Sequence, residues 1–97
     1  MNEPRFSWDD KKAKENAKKH GVSFEEATTA FRDDEGLRMY DPAHSDDEDR
    51  FVLLGLSNKG RLLVVSHCYR KHDDEIRLIS ARKATKPESQ QYERRQS

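Results

Sequence analysis

The order of hydrophobic patterns along this chain predicts an α+β domain. Two short helix signals come first, three or four strand-like runs follow as a meander, and a polar helical segment closes the chain. Apolar residues concentrate in two blocks, 51–56 and 62–69, joined by "NKG", a compact hairpin signal. Size sets the rest: 97 residues suffice for one domain, 1–97, with a single modest core.

Each element has a local reason. "RFSW" at 5–8 is short, aromatic and alternating, as a first strand is. Asp9 then suits an N-cap, and the charged helix it opens runs through Lys19 and stops at Gly21, which tolerates the left-handed conformation. Only Ala13 and Ala17 form an apolar stripe there, which leaves lysines 11, 12, 14, 18 and 19 in water. Ser23 with Glu26 makes a capping box, Val22 staples onto Ala27, and Phe24, Ala27, Thr28 and Phe31 share one face of a second helix.

"GLRMYD" alternates as a strand ending at Asp41-Pro42, and "AHSDDED" has no apolar period and reads as a loop. "RFVLLGLS" and "RLLVVSHCY" are almost continuously apolar, which implies strands covered on both faces. "RKHDD" turns the chain into "EIRLISARKA", and from Thr85 a polar tail, about 86–97, is expected to be partly helical with a frayed end at "RRQS". The expected architecture packs helices on one face of a mainly antiparallel sheet and leaves the other face open.

Strand 75–84 breaks the rule for a half-buried strand. Alternation places Ile76, Leu78, Ser80 and Arg82 on one face, and Arg77, Ile79 and Ala81 on the other. Each face then carries a guanidinium, and the two arginines meet in one cleft only if a bulge, a twist or the strand end intervenes.

Net charge is zero, but its distribution is not even. Residues 33–50 hold eight acidic and two basic side chains, while 59–97 hold ten basic and five acidic. A basic C-terminal half suits phosphate, and a solvated surface with segregated charges is the plain alternative. Cys68, the one cysteine, lies in an apolar run and reads as a small buried hydrophobe. No stretch reaches transmembrane length and the N-terminus lacks an apolar signal region, so a cytoplasmic location and no membrane contact are expected. Asp46, Asp47, Glu48 and Asp49 are consecutive and cannot all face one ion, so no metal is expected. No glycine-rich phosphate loop is present, and no cofactor is expected.

Three stretches, "FSWDDKKAKENAKKHGVSFEEA", "DPAHSDDEDRFVLLG" and "IRLISARKATKPESQQYE", together resemble the BrnT toxins of bacterial type II toxin–antitoxin systems. The resemblance runs from about Phe6 to Glu93 and implies a RelE-like fold and a ribonuclease that inhibits translation. It also implies a BrnA-like ribbon-helix-helix antitoxin, a possible heterotetramer with it, and contact with operator DNA only through that partner. Glu48 and Arg50 in "EDR" match the family pattern, whereas the charged loop "RKHDDE" is longer than the family leads one to expect.

Metal-independent RNA cleavage requires a base for the ribose 2′-hydroxyl, an acid for the leaving 5′-oxygen, and cations on the phosphorane. Arg77, Arg82 and Arg70 are the candidates for the cations, because a guanidinium donates in pairs to phosphate and stays charged. An ion pair with an acid from the helices or the acidic loop is the competing role for each. Proton transfer falls to His67, His72, Tyr69, Glu48 or Lys83, with His67 in a strand beside the arginines and Tyr69 also suited to stacking on a base. A histidine bonded within the sheet, a core tyrosine and a Glu48 ion pair are the plain alternatives. The rival to an enzyme is a non-catalytic binding module acting within a DNA-binding antitoxin complex.

Overall fold

The computed structural model describes residues 4–70 and 74–95. The expected turn at 70–74, including His72, and the end of "RRQS" lie partly outside those residues. Strands β1 (Arg5–Ser7), β2 (Leu37–Tyr40), β3 (Phe51–Leu56), β4 (Leu62–Arg70) and β5 (Glu75–Lys83) form one sheet in the order β1-β5-β4-β3-β2. β1 runs parallel to β5 and every other pairing is antiparallel.

Helices α1 (Asp10–His20) and α2 (Phe24–Ala30) cover one face. Asp9 caps α1 by accepting from the Lys11 and Lys12 amides, and Gly21 ends it at φ 68°. Ser23 caps α2 through the Glu26 amide. Beneath them Val22, Phe24, Ala27, Ala30, Leu53, Leu63, Val65, Ile76, Leu78 and Ala81 form the main core. α2 lies so close to β3 that a methyl group on Gly55 would sit 2.8 Å from the Ala30 carbonyl oxygen, which is why the apolar run of β3 is interrupted there.

Only half of the expected alanine stripe docks α1, since Ala13 packs against the core. Ala17 is exposed, and the buried residue is Asn16. Its amide donates to the Val22 and Ala81 carbonyls, each at 2.9 Å, and accepts from the Ala81 amide at 3.0 Å. β1 pairs with 75–77, so among the described residues no strand lies beside Ala81 on that side, and Asn16 supplies the partner.

The polar tail is also structural. Residues Lys86–Arg95 form α3, which lies on the face opposite α1 and α2, so the helices do not all share one side. Tyr92 is buried there with Leu54 and Val64, and its hydroxyl donates to Asp33 at 2.6 Å. One tyrosine per three turns suffices to dock a helix that composition marks as solvated. The second face is therefore half covered, and its remainder is open.

β5 carries the irregularity that decides the site. Ser66 pairs with Ser80, but His67 pairs with Leu78, so Ile79 is an extra residue on β5. Leu78 and Ala81, three apart, consequently both enter the core under α1 and α2. Arg77 sits opposite Cys68 and Arg82 opposite Val64, both on the other face.

Candidate active site

The bulge resolves the conflict of parity in β5. Arg77 and Arg82 would point to opposite faces of a regular strand, and with Ile79 inserted they share the open one. Arg82 borders a cavity of about 470 Å³ on that face. Its floor is Val52, Val64, Ser66, Ile79 and Ser80, and its rim brings Arg50, Tyr40, Asp41 and His44 to the same space.

The rim is positioned by a short, heavily bonded turn. Pro42–His44 form one 3-10 turn capped by Asp41, whose Oδ1 accepts from the Ala43 amide at 3.2 Å. Its Oδ2 accepts from His44 Nδ1 at 3.0 Å, which leaves Nε2 directed away from the carboxylate. Ser45 ties the turn to the start of β3 by donating to the Asp41 carbonyl at 2.6 Å and accepting from the Arg50 amide at 2.9 Å. The oriented histidine therefore comes from the segment that reads in sequence as an acidic loop, and Arg50 from the start of the strand run "RFVLLGLS" that follows it.

Arg82 has a partner. It donates from both terminal nitrogens to the Glu88 carboxylate, at 2.8 and 2.9 Å. Glu88 in turn accepts from the Thr85 amide at 2.8 Å and so caps α3. The guanidinium beside it holds the Glu88 carboxyl down at about 2. At 40% exposure the Arg82 side chain still faces the cavity.

Arg70 and Glu48 pair at 3.3 Å at the far end of the sheet, and the buried Cys68 thiol donates to the same Glu48 oxygen at 3.5 Å. Burial, with that carboxylate beside it, pushes the Cys68 thiol up, so it stays protonated.

His67 and Tyr69 do not join the arginines. His67 pairs with Phe51 and Leu78, on the face under α1 and α2, and is fully buried. Its Nδ1 lies 3.0 Å from the Val65 carbonyl, which only accepts, so Nδ1 carries the proton. Nε2 then accepts from the Tyr69 hydroxyl at 3.3 Å, and that hydroxyl accepts from Arg38 at 2.9 Å. Burial, aided by the Arg38 charge, lowers His67 to about 4. A neutral imidazole with both nitrogens engaged is a core group, not an accessible base. Lys83 pairs with Leu63 and is likewise off the open face.

The six sequence candidates thus divide three ways: Arg77 and Arg82 on the open face, Arg70 with Glu48 at its end, and His67 with Tyr69 behind it. Sequence reasoning missed the Asp41–His44 pair. Its signal was present in "DPAH", a carboxylate three residues before a histidine across a proline, which is the spacing of a capped turn.

A family model described as ribonuclease toxin, BrnT, of type II toxin–antitoxin system matches residues 8–88. The fold is similar to a crystal structure of the Brucella abortus ribonuclease toxin BrnT, with a TM-score of 0.63 and 21% sequence identity over 87% of this chain and 100% of that one. No curated protein gives a significant match.

Proposed function

The chain belongs to the BrnT family of type II toxin–antitoxin ribonuclease toxins, and on that premise we propose that it cuts RNA on the open face of its sheet without a metal ion. The observation that carries this reading is the β5 bulge, which sets Arg77 and Arg82 on one face, with Arg82 in the cavity of Arg50 and the Asp41–His44 pair.

In this mechanism His44 Nε2 removes the proton from a ribose 2′-hydroxyl while Asp41 holds the ring and stabilises the imidazolium. The 2′-oxygen attacks phosphorus, the bond to the 5′-oxygen breaks, and a 2′,3′-cyclic phosphate forms. The protonated imidazole or a water molecule returns the proton to the leaving oxygen. Arg50 and Arg82 carry the charge of the phosphorane, and Arg77 and Arg70 continue a basic track along the same face. Arg82 keeps N–H donors beyond the two given to Glu88, so the α3 cap and a phosphate contact are compatible.

In the same reading the described residues form one RelE-like toxin domain that acts in the cytoplasm. Type II membership implies an antitoxin partner, here taken to be a BrnA-like ribbon-helix-helix protein that binds operator DNA and draws the toxin into co-repression. The edge strand β2, with Met39 and Tyr40 exposed, is a suitable docking edge for it.

The Arg82–Glu88 pair favours a second reading, a binding module whose arginine only caps α3. Cleavage of a defined single-stranded RNA in excess EDTA separates the two. The native chain is expected to cut, Arg82→Ala and His44→Ala to lose about a hundredfold in rate or more, and His67→Phe to retain cutting. Equal rates in native and His44→Ala chains would remove His44 as the base. No cutting in EDTA, with or without ribosomes, would overturn the metal-independent nuclease.

A further inference from the structure

A second cavity, about 610 Å³, opens on the α1–α2 side of β2 and is lined by Arg38, Glu48, Asp49, Phe51 and Tyr69. The mechanism above uses none of them except Glu48, as a partner of Arg70. Their combination is unusual for a surface meant only to track phosphate: two exposed carboxylates stand beside one guanidinium and two aromatic rings.

Every polar group there is held in place. Arg38 lies 5.5 Å from the Phe31 ring centroid and donates to Tyr69 Oη. Asp49 Oδ1 accepts from the Tyr40 hydroxyl at 3.1 Å, and Glu48 Oε1 is fixed by Arg70 at 3.3 Å. Phe51 is wedged between Tyr40 and Tyr69, with centroids at 5.6 and 5.3 Å. Tyr40 is 51% exposed and borders the cavity that holds Arg50 and Arg82, and it touches Asp49 and Phe51 of the second cavity from there.

We propose that this cavity is a guanine subsite, which names a base preference for the cleavage reaction and rests on the reading of the chain as an RNA-cutting enzyme. Carboxylates repel phosphate and accept only from donors, and guanine offers them N1–H and N2–H₂ on one edge. Its O6 and N7 accept from a guanidinium, the role open to Arg38. Adenine presents an acceptor at N1 where guanine presents a donor, cytosine presents acceptors beside its single amino group, and uracil has one donor. Phe51, Tyr69 and the exposed Tyr40 ring supply the stacking surface that a splayed base requires.

Titration of the full chain with GMP, AMP, CMP and UMP, read by amide NMR shifts, tests this without any cleavage step. GMP is expected to bind roughly tenfold or more tightly than the others and to shift Arg38, Asp49, Phe51 and Tyr69. IMP, which lacks the 2-amino group, and 7-deaza-GMP, which lacks N7, should each bind several-fold more weakly than GMP. Glu48→Gln/Asp49→Asn should lose the guanine preference while keeping the fold, since both side chains are exposed. Equal affinities for the four nucleotides, or GMP shifts confined to the Arg50–Arg82 cavity, would overturn the subsite. Guanine selectivity in a chain that does not cut RNA would remove the nuclease reading and leave the subsite standing. Cutting with no guanosine enrichment at cleavage sites would do the reverse.

Discussion

Replacing His67 by phenylalanine removes a group that binds a proton in the unfolded chain and refuses it in the folded one. The unfolded imidazole titrates near 6.5, and the buried ring near 4. Its Nδ1 proton is committed to Val65, and its Nε2 accepts from Tyr69. Phe31, Phe51 and Tyr69 wall it in, and Arg38 is the charge that reaches it. Between the two values the unfolded state binds more protons, so stability rises with pH and is lost as pH falls from about 6.5 toward 4.

Those endpoints give a loss of about 2 kcal/mol between about pH 7 and pH 5. The bonded carboxylates contribute little in that window. Glu26, lowered chiefly by its bond with Arg61, and Glu88, held at about 2, begin from 4.5 and lose their stabilisation as pH falls below that. Urea unfolding followed by circular dichroism at both pH values measures the difference directly. The native chain is expected to show the full loss, and His67→Phe to show only a few tenths of a kcal/mol. An equal slope in both chains would mean that His67 is protonated in the fold, and the description of it as a neutral core group would be wrong.

Three other outcomes follow from packing. Gly55→Ala should cost about 1–3 kcal/mol in urea unfolding, because the Ala30 carbonyl blocks the new methyl group at 2.8 Å and backbone must move. Asn16→Leu should cost about 2–3 kcal/mol by leaving the Ala81 amide and carbonyl unpaired, and hydrogen exchange at Ala81 should accelerate while that at Leu53 changes only with global stability. Glu26→Ala should cost about 3 kcal/mol. It removes a buried carboxylate bonded to both Arg61 and Ser57, and Glu26→Ala/Arg61→Met should recover part of the loss in the same assay.

Local chemistry made most of the elements legible in sequence. Asp9, Gly21 and Ser23 act through bonds to residues two to four positions away, so their positions alone announce the ends of α1 and α2. The apolar runs of β3 and β4 and the "NKG" hairpin are equally local. The family resemblance was carried by fragments spread over the chain and needed no coordinates.

The site was less legible, because its decisive contacts are distant in sequence. Whether Arg77 and Arg82 share a face depends on one extra residue in β5, and its place appears only against β4. Strand alternation fixes relative facing only while a strand stays regular. Asn16 looks like any polar helix residue until Ala81, 65 positions on, is seen to lack a strand partner. Tyr92 looks like part of a solvated tail until Leu54 and Val64 are brought beneath it.

His67 shows the same division from the other side. Its residue type offers a base near neutral pH, and its strand is the one beside the arginines. Its parity then carries it under the helices, where burial cancels the chemistry that the type suggests. The sequence by itself determined the elements, the family and the supply of arginines. Only the tertiary structure decided which of those arginines meet, because a side chain's facing is a property of paired strands and not of the chain that forms them.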